Sequence, residues 1–210
     1  MADLVELVES VEKGQAPRTA ELTRLLLGGG TKPDTVLNQG LIVAMSRVGE
    51  HFQAKKIYVP EVLLAARAML AGMEVLEPAL AKAGVKRRGK VVLGTVKGDV
   101  HNIGKNLVGI MLKGAGFEVQ DLGVDVPPQR FVEAAQAGAH LVCMSALLTT
   151  SMPMMKTCVE VLKQAGLKVK TMVGGAVVTQ SYADSIGADG YAPDAASAAV
   201  RAQELLTGGT

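Results

Sequence analysis

In the stretch GTVKGDVHNIGKN, from Gly94 to Asn106, Asp99 and His101 stand two residues apart on a glycine-rich turn. An imidazole this close to a carboxylate suits a metal ligand, because the carboxylate can hold one ring nitrogen, fix the tautomer and raise the basicity of the other nitrogen. The same residues could equally be a helix-capping aspartate beside a solvent-facing histidine. One histidine does not hold a metal alone. The chain has three histidines and two cysteines, and none of the others lies near this turn, so a metal here would arrive already coordinated, as in a macrocycle needing one axial ligand. Phosphate chemistry fits poorly. "GKN" at Gly104 to Asn106 fails the P-loop pattern, with Asp99 in place of its first glycine and Asn106 in place of Ser or Thr. No dinucleotide fingerprint follows the strand, and Ser145 stands where a receiver-type phosphate acceptor would have aspartate.

The elements that must position this turn are readable on either side. "KVVLGTV" reads as a strand and "NLVGIMLKGAG" as a helix, which puts His101 where strand becomes helix, a ligand-facing place in α/β proteins. After Lys90, further strands are expected at "FEVQDLGV", "HLVCMSAL", "KVKTMVGG" and "DGYA", each followed by a helical segment. The fold class is therefore α/β, a doubly wound, flavodoxin-like or Rossmann-like, mostly parallel five-stranded sheet. The strand ends deliver Asp99, His101 and Gly104, then Ser145, Thr149, Thr150 and Ser151, then Gly174 and Gly175, then Tyr191 and Asp194 to one edge. Upstream, "LVELVESVEKG", "TAELTRLLLGGG", "DTVLNQGLIVAMSRVGEHF" and "PEVLLAARAMLAGMEVLEPAL" carry apolar residues at helical spacing and predict an N-terminal four-helix bundle. The expected domains are 1–86, helical, and 87–210, α/β.

Bulk properties narrow the function. A net charge of +2 and a short basic run, Lys86 to Lys90, without interleaved aromatics, argue for a solvated linker and against nucleic-acid binding. The two cysteines have neither disulfide-framework nor zinc spacing, which suggests a reducing, cytoplasmic setting. No apolar run approaches membrane-spanning length, and the N-terminus is acidic where a secretory signal would be basic, so neither membrane insertion nor export is expected.

Asp99-Val100-His101-Asn102-Ile103-Gly104 resembles the DxHxxG signature of cobalamin-binding domains. "GFEVQDLGVDVPP", "SALLTTSM", "MVGGAVVTQSYADSIGADGYAPDA" and "AARAMLAGMEVLEP" extend the likeness to the corrinoid proteins of methylamine, methanol and O-demethylase methyltransferase systems, and to the cobalamin module of methionine synthase. The resemblance implies that His101 replaces the cofactor's dimethylbenzimidazole as lower axial ligand to cobalt. Asp99 then accepts a hydrogen bond from the far imidazole nitrogen, and Ser151 continues the relay, although Ser151 could instead cap the next helix. It further implies cobalamin contacts from Asn102 and Ile103, with Gly104 letting the nucleotide tail pass close to the backbone. Ser145 and Leu147 would contact the displaced base, Thr149 would lie near the corrin edge, Gly174 and Gly175 would make room for the base, and Tyr191 with Ala192 would lie near the nucleotide loop. Asn102 departs from the usual aspartate of these proteins, and Lys55-Lys56 from a frequent Gly-Glu pair.

By the same resemblance the bundle is a cap over the methyl-bearing face of the cofactor, with Met69, Met73 and Phe52 as candidate covering residues, each also readable as ordinary bundle core. The function implied is that of a methyl carrier whose cobalt receives a methyl group through a substrate-specific methyltransferase. A second, acceptor methyltransferase passes it to a thiol or tetrahydrofolate, and a reductive activase serves the cobalt. Two alternatives share the cobalamin domain. A mutase subunit would need a catalytic barrel, and a cobalamin-sensing regulator would add a basic DNA-binding region.

Overall fold

The computed structural model describes residues 3–84 and 88–207, and the chain divides into two compact units, Met1–Arg87 with Gly114–Gly116, and Arg88–Lys113 with Phe117–Thr210. The expected boundary between residues 86 and 87, and with it Lys86 and Arg87 of the basic run, lies outside the described residues.

The first unit is helical. Helix α1 (Leu4–Glu12) is capped by Asp3, whose carboxylate accepts from the Glu6 amide at 2.7 Å, satisfying one of the four amides that a helix start leaves orphaned. Helix α2 (Ala16–Gly28) has Pro17 in its first turn, where the missing N–H is harmless. The third periodic segment is not one regular helix: α3 (Pro33–Thr35) passes through a π turn at Val36–Leu41 into α4 (Ile42–Gln53). The wider turn keeps Val36 and Leu41, five positions apart, on the same buried face, which α-helical spacing would not do. Helix α5 (Val59–Lys82) begins with the Tyr58 amide donating to the Glu61 carboxylate at 3.0 Å. Leu7, Val11, Leu22, Leu41, Met45 and Leu76 fill the interior of this unit.

In the second unit, strands β1 (Lys90–Thr95), β2 (Glu118–Asp121), β3 (Leu141–Ser145), β4 (Lys170–Gly174) and β5 (Gly190–Ala192) alternate with helices α6 (Ile103–Gly114), α7 (Pro128–Gln136), α8 (Met152–Gln164), α9 (Gln180–Ser185) and α10 (Ala195–Thr207). The strand order is β2-β1-β3-β4-β5, and every neighbouring pair is parallel. Strands β1 and β3 are buried along nearly their whole length, as parallel strands covered on both faces must be. On one face Val92, Val142, Met144 and Val173 pack with Phe131 of α7, Met155 and Leu162 of α8 and Ala183 of α9. Each large side chain buried there contributes about 1.5–3 kcal/mol. Exposed ion pairs such as Lys156–Glu160, at 3.9 Å, contribute about 0–1 kcal/mol each, so apolar packing holds this unit together.

Both cysteines are free and buried; burial drives the Cys143 thiol far up and the Cys158 thiol to about 12, so both act as small apolar core groups. No helix among the described residues is long and apolar enough to cross a membrane.

The winding reverses between β1 and β3, where the chain leaves β1 for β2 on one side and then returns to the other. Loops beyond the carboxyl ends of these two strands therefore open into a crevice that α/β sheets use for ligands. The turn carrying His101 follows β1, and the segment from Ala146 to Ser151 follows β3.

Candidate functional site

Asp99 is 1% exposed and its carboxylate is fully engaged. Oδ1 accepts from the His101 amide at 3.0 Å and from His101 Nδ1 at 2.7 Å. Oδ2 accepts from the Leu147 amide at 2.7 Å, the Leu148 amide at 3.2 Å and the Ser151 hydroxyl at 2.9 Å. Burial alone would raise the pKa of this carboxyl, but the backbone bonds from Leu147 and His101, followed by the side chains of His101 and Ser151, outweigh it and hold the group well below the usual carboxylate range. A fixed anion 2.7 Å from Nδ1 keeps the proton on that nitrogen and leaves the Nε2 lone pair as the ring's outward acceptor.

Neither Asp99 nor Ser151 works as a helix cap. Asp99 accepts nothing from the amides of α6, and Ser151 occupies the N-cap position of α8 without a side-chain bond to that helix. Instead the Ser151 hydroxyl lies between Asp99 Oδ2 and the Leu148 carbonyl, 2.8 Å away. The buried Thr95 hydroxyl, at the end of β1, donates to the His101 carbonyl at 2.8 Å and pins the histidine backbone. Sequence reading missed Thr95; its only signal was a polar residue closing an apolar strand.

His101 itself is half exposed, with 48% of its side chain accessible, and Nε2 has no hydrogen-bond partner among the described residues. Val100 and Ile103, 69% and 78% exposed, flank it, and Leu147 and Leu148 on the neighbouring loop are also exposed. Apolar surface of this kind around a free imidazole nitrogen is suited to cover by a flat apolar ligand. Val100 and Leu148 were not singled out from sequence. Gly104 lies in the first turn of α6, and a Cβ there would meet nothing within 4 Å, so packing inside the chain does not demand glycine at this position. Asn102 is exposed and its carbonyl accepts from the Asn106 amide at 2.8 Å, opening α6. Lys105 turns inward, its ammonium paired with Asp121 and bonded to the Asn106 side chain.

Strand register brings the more distant candidates together. Thr95, Ser145, Gly174 and Ala192 are successive partners and form one row across the carboxyl end of the sheet. Tyr191 belongs to the adjacent row, paired with Val173, and so faces the other side of the sheet, where it packs against the apolar core. Thr149 is exposed on the β3–α8 segment. A Cβ on Gly174 would come 2.8 Å from the Ala192 carbonyl oxygen, and one on Gly175 1.9 Å from that of Ala146, so the sheet end itself requires both glycines. In the helical unit, Met69 is 4% exposed and lies in the core, whereas Met73 and Phe52 are half-buried.

Among the described residues no group of three or more His, Cys, Asp or Glu side chains could hold a metal ion. The residues present fit a metal that comes with its own macrocycle: one free imidazole nitrogen, oriented by a buried carboxylate, within exposed apolar surface and beside an open glycine.

Comparison with known proteins agrees. Residues 89–200 match one B12 binding domain model and residues 4–77 match another. Dimethylamine corrinoid protein 1 of Methanosarcina mazei is 42% identical over 99% of this chain and 96% of its own length. Trimethylamine corrinoid protein 1 of Methanosarcina acetivorans is 44% identical over 89% of both. The crystal structure of the methanol:cobalamin methyltransferase complex from Methanosarcina barkeri contains a chain that superposes with a TM-score of 0.85 at 30% identity, covering 99% of this chain and 80% of that one. The chain belongs to the B12-binding corrinoid proteins of methyltransferase systems, and its cofactor is a cobalamin.

Proposed function

We propose that this corrinoid protein carries methyl groups released from a methylamine, and that His101 Nε2 is the lower axial ligand to cobalt. The observation that carries the ligand assignment is the Asp99–His101 pair, in which a buried, saturated carboxylate holds Nδ1 and leaves Nε2 free at the surface. Bound cobalamin supplies a cobalt centre that accepts a methyl group and gives it up again. The protein's own work is to hold and tune that centre. Asp99 keeps the Nδ1 proton in place, while Ser151 and the Leu147 and Leu148 amides keep Asp99 in place. Asn102, Ile103 and Gly104 would border the nucleotide tail, and Ser145, Leu147, Thr149, Gly174 and Gly175 would border the displaced base and the corrin edge. Ala192, in one row with Ser145 and Gly174, would complete the set, with Tyr191 contributing its backbone only, because its side chain packs on the other side of the sheet.

The methylamine reading is supported by relatives named for dimethylamine and trimethylamine at 42% and 44% identity, against 30% for the methanol complex. Demethylating an amine requires a leaving group improved by protonation or Lewis-acid contact and aligned with cobalt. That work falls to a substrate-specific methyltransferase partner. A second methyltransferase would deliver the methyl group to a thiol or tetrahydrofolate, and a reductive activase would restore the cobalt.

Two arms of one experiment test this reading. With protein histidines labelled with nitrogen-15, the Co(II) electron-spin spectrum of the loaded wild type is expected to show changed nitrogen coupling. His101→Ala should lack that coupling while keeping some cofactor binding; an unlabelled-like spectrum overturns the ligand assignment. With reduced loaded protein in cell extract, mono-, di- or trimethylamine should change the cobalamin absorption spectrum, whereas methanol, betaine and aryl methyl ethers should not. A response confined to one of the latter donors overturns the methylamine reading.

A further inference from the structure

The segment after β2, from Gly123 to Val126, is laced to the turn that carries His101. The Thr95 amide donates to the Gly123 carbonyl at 3.0 Å, and the Val126 amide to the Thr95 carbonyl at 2.9 Å. The Asp125 amide donates to the Asp99 carbonyl at 2.9 Å, and the Gly98 amide donates back to Asp125 Oδ1 at 2.7 Å. Asp125 therefore grips the peptides that flank the Gly98-Asp99 pair, one bond being short and charge-assisted. It does so with φ at +53°, a left-handed backbone that strains a residue with a side chain and that glycine adopts freely. Glycine would be the easier residue for the turn, so the carboxylate is what the position gains by accepting the strain.

We propose that Asp125 is a positioning residue for the cobalt ligand: it holds the Gly98-Asp99 backbone so that the Asp99 carboxylate meets His101 Nδ1 and the Leu147 amide before cofactor arrives. This rests on the reading of His101 as lower ligand. The paired tests are Asp125→Gly, which keeps the turn with less strain but removes the carboxylate, and Asp125→Asn, whose side-chain oxygen can still accept from Gly98. Two measurements are made on each. In the protein without cofactor, hydrogen exchange of the His101 and Leu147 amides, which donate to Asp99, is expected to quicken about tenfold in Asp125→Gly at an unchanged or higher thermal midpoint. In the loaded protein, cobalamin affinity should fall about tenfold and the His101-coupled fraction of Co(II) should shrink. Asp125→Asn should restore both to within about threefold of wild type. If Asp125→Gly matches wild type in both measurements, Asp125 only shapes the turn and the proposal is overturned. If wild type itself shows no histidine coupling, the ligand reading fails, and amide exchange in the unloaded protein alone then decides whether Asp125 holds the loop.

Discussion

Replacing Asp99 with asparagine is expected to abolish histidine coupling to Co(II) and to weaken cobalamin binding about 10- to 100-fold, with the turn still folded. The carboxylate faces two sets of donors. Leu147, Leu148 and Ser151 converge on Oδ2, and the His101 amide and imidazole on Oδ1. An amide can satisfy only one set. Its oxygen will turn to the three donors from the β3 side, which leaves the NH₂ group pointing at His101. The imidazole can answer only by accepting at Nδ1, which moves its proton to Nε2 and removes the lone pair that ligation needs. The orphaned His101 amide adds a stability loss of about 1–3 kcal/mol. Nitrogen-15 shifts of the imidazole in the unloaded protein report the tautomer directly, and an Nδ1–H signal unchanged in Asp99→Asn would show that the carboxylate does not set it.

The same substitution fixes the sign of an acid effect. Because the folded-state pKa of Asp99 is depressed, its contribution to stability is complete above the ordinary carboxylate pKa of about 4 and is lost as pH falls through the lower folded value. Wild type should therefore lose stability in acid more steeply than Asp99→Asn, with the two curves parallel near neutrality. Denaturant midpoints measured across that range check it.

Gly175→Ala is expected to damage the fold itself. The residue has φ at +127°, and a Cβ there would lie 1.9 Å from the Ala146 carbonyl oxygen, a backbone atom that cannot move without parting the ends of β3 and β4. Conformational strain and overlap act together, for a loss of about 3–5 kcal/mol and a Tm lower by on the order of 10 °C. Gly104→Ala is the contrast, because its Cβ would meet nothing and helix propensity favours alanine by up to about 1 kcal/mol. The unloaded Gly104→Ala protein should be as stable as wild type or more so, yet bind cobalamin more weakly if this glycine lets the nucleotide tail approach. Thermal melts with and without cofactor separate the two glycines; equal losses of Tm for the two unloaded variants would contradict the packing difference.

Much of this was readable along the chain. The three- and four-residue spacing of apolar positions before Ala83, and the alternation of short apolar runs with helical ones after Lys90, are local periodicities, and local periodicity is what hydrophobic burial imprints on sequence. The Asp99–His101 pair was legible for a similar reason, since a two-residue spacing on a turn brings carboxylate and imidazole within reach of each other, whatever then holds them there. The π turn within the third helical segment carried no such imprint, because a π turn answers to which residues the neighbouring helices bury, not to its own composition.

The site as a working unit was decided only by the tertiary structure. Nothing local tells whether Ser151 caps its own helix or bonds a carboxylate 52 positions earlier, or that the amides of Leu147 and Leu148 complete that carboxylate's shell. Asp125 carried no signal until it met Gly98 from 27 positions away. Tyr191 and Ala192 are adjacent in sequence yet face opposite sides of the sheet. The physical reason is common to all of these: the order β2-β1-β3 places the end of β1 against the end of β3 and the β2 loop, and that order is set by how the crossover helices pack on the two faces of the sheet. The buried carboxylate acquires three of its five donors, the Leu147 and Leu148 amides and the Ser151 hydroxyl, from that packing, and only the two from His101 come from its neighbours in the chain.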